Sequence, residues 1–200
     1  MTDSDNIKAV EALGVDYIGF IFYPKSPRCC NAVPNVDIPP EKRVGVFVNA
    51  SLSKILEKAE QYHLGNIQLH DSESPERCKQ LRNKGFGVIK AFSIADTEDL
   101  EKVKAYRGTC DYFLFDTKTP NYGGAGTTFD WEILKSYKDT TPFLLSGGIS
   151  IDTLPQLELF NHPYWAGVDI NSKFETKPGI KNIGLIEEFI KRVTTQQGLK

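Results

Sequence analysis

The sequence predicts an α/β protein, a (β/α)8 or TIM barrel, and three observations lead to this prediction. Short apolar runs rich in β-branched and aromatic residues recur along the whole chain. Amphipathic helical segments lie between them, which is the alternation of a parallel sheet. No Gly-x-Gly-x-x-Gly turn follows an early strand, and this disfavours the doubly wound nucleotide-binding alternative.

Seven strands are predicted. Most of them read as continuous apolar runs, as expected of strands that are covered on both faces. They cover residues 15–23, 44–49, 67–70, 88–93, 112–116, 143–146 and 167–170. A closed barrel of this class has eight strands, so seven strands leave the barrel one strand short.

The helices are predicted from apolar residues that recur at helical spacing and from capping residues. In the first, Thr2 and Asp5 fit a capping box and Gly14 fits the stop. The segment 51–63 places its apolar residues on one face behind a serine cap. Residues 24–42 hold five prolines and no helical period, so no regular helix is expected there.

Composition limits the function classes. The 200 residues carry a net charge of −2 and fit one domain, residues 1–200, with neither linker nor repeat. Basic residues are scattered, so neither nucleic acid nor a membrane surface is an expected partner. The expected partner is a small molecule. No signal peptide or membrane span is present, which predicts a cytoplasmic protein. The four cysteines and three histidines lack metal-ligand spacing, so no zinc is expected.

The ends of the predicted strands carry the candidate site residues, because barrel enzymes react at that face. Asp116 ends an apolar strand, where partial desolvation suits a carboxyl to general acid chemistry; capping of its own loop is the simpler alternative. The glycine-rich loop that follows, with Gly124 and Gly126, allows a close approach to a ligand or merely a flexible turn.

Two further strand ends suggest a phosphate site. Backbone N–H groups of Gly147 and Gly148, with those around Asn171 and Ser172, can form the phosphate cradle that barrels often build after their last two strands; ordinary turns are the alternative. Arg28 follows the first predicted strand and can hold a carboxylate, or face solvent. His70 ends another strand, where we favour a structural role.

Several segments, in this order, resemble the phosphoribosylanthranilate isomerase family of tryptophan biosynthesis. They are GFIFYPKSPR, VGVFVN, IQLH, FDTKTPNYGGAGTTFDW, LSGGI and GVDINSKFE. The resemblance implies an Amadori rearrangement of N-(5-phosphoribosyl)anthranilate without metal or organic cofactor. It further implies that Asp116 is the general acid, that Arg28 orients the anthranilate carboxylate, and that Gly147, Gly148, Asn171 and Ser172 bind phosphate.

One departure from the family affects activity. Family members begin with a strand of the type Lys-x-Cys-Gly-Met, whose cysteine is the general base, and Met1 coincides with the methionine of that motif. The resemblance therefore implies that the first β-strand, with its base, is missing from the chain as given and lies upstream of Met1 in a longer complete enzyme. The chain as given is expected to be impaired. A smaller departure places Lys173 where glycine is common, near the expected phosphate.

Three alternatives stay open. Cys29 or Cys30 replaces the missing base, although a loop thiol rarely lies within reach of the reacting proton. The chain is a non-catalytic barrel remnant that binds a phosphorylated ligand. It is another phosphate-binding barrel, such as a ribulose-phosphate epimerase, which would need more metal ligands at its strand ends. Either a monomer or a homodimer fits the sequence.

Overall fold

The computed structural model describes residues 1–117 and 131–196, which form a curled parallel sheet with helices on its outer side. Seven strands pair in sequence order, each parallel to the next. They are β1 Ile18–Ile21, β2 Arg43–Phe47, β3 Asn66–Leu69, β4 Gly87–Ile94, β5 Tyr112–Thr117, β6 Phe143–Ser146 and β7 Trp165–Val168. This confirms the seven predicted strands, and β1 and β7 are the sheet's two edges within the described ranges.

Within residues 1–117 and 131–196, six α-helices accompany the sheet: α1 Ser4–Glu11, α2 Leu52–Tyr62, α3 Pro75–Arg82, α4 Thr97–Val103, α5 Leu154–Leu159 and α6 Ile183–Gln196. A two-stranded antiparallel hairpin, β8 Glu175–Lys177 with β9 Ile180–Lys181, follows β7. Residues 24–42 form only a 3-10 turn at Pro40–Lys42, as predicted from the prolines. None of the helices in the described part of the chain has the length and apolar character that a membrane crossing requires.

The helix caps follow the sequence with one correction. Ser51 and Ser74 each accept a hydrogen bond from the backbone N–H three residues on. At α1 the prediction of Thr2 as the cap was wrong, because Asp3 accepts from the backbone N–H of Asn6 at 2.8 Å. The backbone N–H of Thr2 instead donates to the carbonyl of Gly179 at 3.3 Å.

The sheet curls because residues of non-adjacent strands pack together on its concave side. Val44 of β2 shares one apolar cluster with Leu114 of β5 and the partly buried Leu144 of β6. The rings of Tyr17, before β1, and Tyr112, at the start of β5, meet edge to face with centroids 6.5 Å apart. The larger core lies on the convex side, between the strands and the helices.

One charged side chain is buried in that outer core. Ile89 and Ala91 face the concave cluster, so Lys90 between them points toward the helices, where it is 1% exposed. Its ammonium lies 3.5 Å from the carboxylate of Glu73 and near the rings of Phe92 and Tyr106. Burial lowers the pKa of Lys90, and the neighbouring Glu73 charge opposes this shift.

Lys90→Met is expected to lower the free energy of unfolding by about 3–5 kcal/mol, since it leaves the Glu73 carboxylate buried without its cation. Urea unfolding measures this loss. The matched control is Lys54→Met, which breaks the exposed ion pair with Glu57 and should have a much smaller effect. Similar losses of unfolding free energy in the two variants would contradict the conclusion that the buried pair matters more than the exposed pair.

Candidate active site

Strand register brings polar side chains together at the carboxyl ends of the strands. Asp116 of β5 pairs in register with Ser93 of β4 on one side and with Ser146 of β6 on the other. Because Leu114 faces the concave cluster and side chains alternate, Asp116 also faces inward, one layer above the apolar residues. The end of β5 therefore presents Asp116 at the barrel mouth, where the sequence predicted it.

His70 follows β3 directly and its ring reaches Asp116. The distance between His70 Nε2 and Asp116 Oδ2 is 3.5 Å, and the two side chains are 34% and 36% exposed. Both line a cavity of about 280 Å³ at the ends of β3, β4 and β5, together with Ala91 and Ser93. Asp116, His70 and the cavity therefore lie together at the barrel mouth.

A second cavity, of about 300 Å³, lies at the start of α3 beside Asn49, Ser74 and Arg77. The carboxylate of Glu73 in its wall already accepts hydrogen bonds from the backbone N–H groups of Asn49 and Asp71. We place the candidate site at the barrel mouth because a reacting carboxyl must be accessible to its substrate.

Asp169 belongs to the same polar layer, and sequence reasoning missed it. It follows β7, retains some accessible surface, and accepts a hydrogen bond from the hydroxyl of Ser146 at 3.0 Å. Burial raises its pKa, an effect that the Ser146 hydrogen bond and the Lys181 charge partly offset. The available signal was an aspartate inside an otherwise apolar predicted strand.

The predicted phosphate residues lie on adjacent loops. Gly147 and Gly148 follow β6, and both have positive φ angles, 78° and 72°, which favour glycine. Asn171 and Ser172 follow the neighbouring strand β7 and are exposed. The ammonium of Lys181 donates to the carbonyl and side-chain oxygens of Asn171, both at 3.0 Å. The structure therefore brings the two loops together and adds a cation that the sequence did not predict.

Arg28 is ion-paired. Its Nε donates to both carboxylate oxygens of Glu175, at 3.0 and 2.8 Å, and one terminal nitrogen lies 2.7 Å from the same group. Burial alone would raise the pKa of Glu175, but the hydrogen bonds from Arg28 and the charge of Lys181 lower it overall. The rim arginine predicted from the sequence is thus oriented by a carboxylate from the hairpin strand β8.

The remaining candidates are the loop cysteines and glycines. Cys30 is buried, its thiol donates to the carbonyl of Met1 at 3.0 Å, and burial raises its pKa. A thiol in that environment is poorly suited to act as a thiolate base, which argues against the Cys30 alternative. Cys29 is half-buried. Gly124 and Gly126 lie outside the described residues.

Comparison with known proteins gives the family. The profile described as "N-(5'phosphoribosyl)anthranilate (PRA) isomerase" matches residues 1–192. An N-(5'-phosphoribosyl)anthranilate isomerase of Phocaeicola vulgatus is 48% identical over 195 residues, covering 96% of this chain and 94% of that protein. The chain belongs to the PRA isomerase family.

Solved structures agree with this assignment. Phosphoribosyl anthranilate isomerase from Thermotoga maritima matches with a TM-score of 0.79 and 33% identity, covering all of this chain and 96% of the other. A PRA isomerase in complex with reduced 1-(o-carboxyphenylamino)-1-deoxyribulose 5-phosphate matches with a TM-score of 0.75 and 29% identity, at the same coverages. The TIM-barrel prediction is confirmed, and the described ranges of this PRA isomerase family member hold seven strands of the parallel sheet.

Asp169→Asn is expected to make stability less dependent on pH. The raised folded-state pKa means that the folded chain holds this proton more tightly than the unfolded chain. The parent therefore loses free energy of unfolding as pH rises from the ordinary value of 3.8 through the raised pKa. Urea unfolding of parent and variant from about pH 4 to about pH 8 tests this. A constant difference between the two would contradict it.

Proposed function

We propose that this chain binds N-(5-phosphoribosyl)anthranilate and supplies the general acid of a PRA isomerase reaction. That reaction gives 1-(2-carboxyphenylamino)-1-deoxyribulose 5-phosphate in tryptophan biosynthesis. The observation that carries the proposal is Asp116 on the inward face of β5, beside His70 and an open cavity. Membership of the PRA isomerase family supports the reaction class.

In this mechanism Asp116 gives its proton to the furanose ring oxygen. The bond from that oxygen to C1′ breaks, and the nitrogen lone pair forms a Schiff base at C1′. A general base then removes the proton at C2′, which gives an enolamine that tautomerises to the ketose. Atoms and electrons stay within the substrate apart from the transferred protons, so the proposal includes no cofactor.

Two sets of residues hold the ends of the substrate. Backbone N–H groups of Gly147, Gly148 and the Asn171–Ser172 turn bind the phosphate, with the positive charge of Lys181 behind the turn. At the other end, Arg28 donates hydrogen bonds to the anthranilate carboxylate. It uses the N–H groups that do not contact Glu175. These roles fit the positions of the loops at the same face as Asp116.

The general base is proposed to come from a strand placed before Met1. The α-amino group of Met1 donates to the carbonyl of Gly19 in β1, an edge strand of the described sheet. Residues added before Met1 can therefore extend along that edge and pair with it. The proposed base is the cysteine of a Lys-x-Cys-Gly segment in that strand.

Adding a strand of the Lys-x-Cys-Gly type before Met1 is expected to raise turnover by about 10²- to 10⁴-fold over the 200-residue chain, the usual contribution of a general base. The matched control carries serine in place of the added cysteine and should stay near the 200-residue chain. Fluorescence of the anthranilate group follows the reaction. Equal activity with and without the strand would contradict the proposed base, and Cys29→Ser and Cys30→Ser would then be compared.

In the extended chain, Asp116→Asn is expected to lower kcat by about 10²- to 10⁴-fold, because the amide cannot donate the proton in the ring-opening step. Steady-state kinetics measures the loss. Tight binding of the reduced product analogue without turnover in the extended parent would favour the alternative of a non-catalytic phosphate-ligand binder. For the oligomeric state, a monomer or a homodimer remains the prediction.

A further inference from the structure

The backbone around His70 is held from several directions. The buried ammonium of Lys90 donates to the carbonyl of Leu69, at 3.3 Å, and to that of Asp71, the two residues that flank His70. The backbone N–H of His70 itself donates to the carbonyl of Phe47 at 2.9 Å. A lysine on the outer side of the sheet thereby fixes the backbone that carries an inward-facing ring.

Glu73 completes this support. It pairs with Lys90 and accepts hydrogen bonds from the backbone N–H groups of Asn49 at 2.8 Å and of Asp71 at 3.0 Å. The side chain of Asn49 binds Asp71 and Ser72 in turn. The loops after β2 and β3 are thus tied to one buried ion pair, and His70 lies at the start of the second loop.

The side chain of Gln68 contacts the His70 ring. This side chain faces the same side of β3 as His70, it is 7% exposed, and its amide nitrogen lies 2.8 Å from His70 Nδ1. With the amide nitrogen as donor in this contact, Nδ1 accepts and the ring proton lies on Nε2. That nitrogen is the one that lies 3.5 Å from Asp116 Oδ2.

We propose that His70 is a positioning residue for Asp116, held by Lys90 and Glu73 and fixed by Gln68 as the neutral Nε2–H tautomer. The proposal rests on the proposed role of Asp116 as general acid. The ring N–H faces Oδ2 of Asp116 across 3.5 Å, which leaves Oδ1 to carry the proton toward the ring oxygen of the substrate. The same N–H stabilises the carboxylate that remains after proton transfer, and the contact shortens in the substrate complex.

The first test reads the tautomer directly, in the 200-residue chain. The chain has only three histidines, His63, His70 and His162, so a long-range ¹H–¹⁵N spectrum resolves every ring. The His70 signals are assigned by their loss in a His70→Asn variant. We expect the Nε2–H pattern for His70 in the parent at neutral pH. An Nδ1–H pattern would overturn the proposal.

Matched variants test the assigned cause. Gln68→Leu removes the donor to Nδ1 and is expected to give a mixture of tautomers at His70. Gln80→Leu, at an exposed position on α3, is the control and should leave the His70 signals unchanged. A pure Nε2–H pattern in Gln68→Leu would overturn the role of Gln68.

Kinetics of the extended chain supply a second readout. Gln68→Leu is expected to lower kcat by about 10- to 100-fold, the usual effect of losing a group that orients a functional side chain, with KM changed less than about twofold. A loss confined to KM would overturn positioning. Full activity in Asp116→Asn would instead reject the proposed function, while the tautomer result would stand independently.

Discussion

The buried charge of Lys90 is the constraint on which the arrangement of the site depends. An ammonium removed from water must be surrounded by acceptors, since an unpaired buried charge is far more costly than any single contact gains. Lys90 meets this requirement with Glu73 and with backbone carbonyls, among them that of Ala91 at 2.8 Å. Those acceptors belong to the end of β3, to the loop that follows it and to the middle of β4. Satisfying one charge therefore fixes the backbone on which the site is built.

The concave side of the sheet divides into two layers because side chains alternate along each strand. The lower layer is apolar and holds residues such as Val44, Leu114 and Leu144. The upper layer holds Asp116 and Ser146, which are in register on β5 and β6, and Asp169, which follows β7 and accepts a hydrogen bond from Ser146. Along β5, Leu114 therefore packs in the apolar layer, and Asp116, two residues later, lies in the polar layer. The rise in the pKa of Asp169 follows from its place directly above that apolar layer.

A second charged cluster, formed by Arg28, Glu175 and Lys181, joins distant parts of the chain. Glu175 accepts from Arg28, which follows β1, and lies 3.4 Å from the ammonium of Lys181 on β9. Its carboxylate also accepts from the backbone N–H of Gly179 at 3.1 Å. The hairpin β8–β9 is thereby fixed beside the loop of Asn171 and Ser172. The anthranilate and phosphate ends of the proposed site consequently share one ion-pair network, and a variant at Glu175 would disturb both.

The sequence by itself determined the strand–helix alternation, the seven parallel strands and the place of Asp116 at a strand end, because apolar periodicity and strand termini are local properties of the chain. The paired glycines at 147 and 148 were also readable, since their φ angles need a residue without a side chain. Only the tertiary structure decided which strand ends meet: that His70 contacts Asp116, that Glu175 holds Arg28, and that Lys90 is buried beneath the site. These contacts join residues that are far apart in sequence. The burial of Lys90 and of its partner Glu73 likewise exists only once the sheet and its helices have packed together.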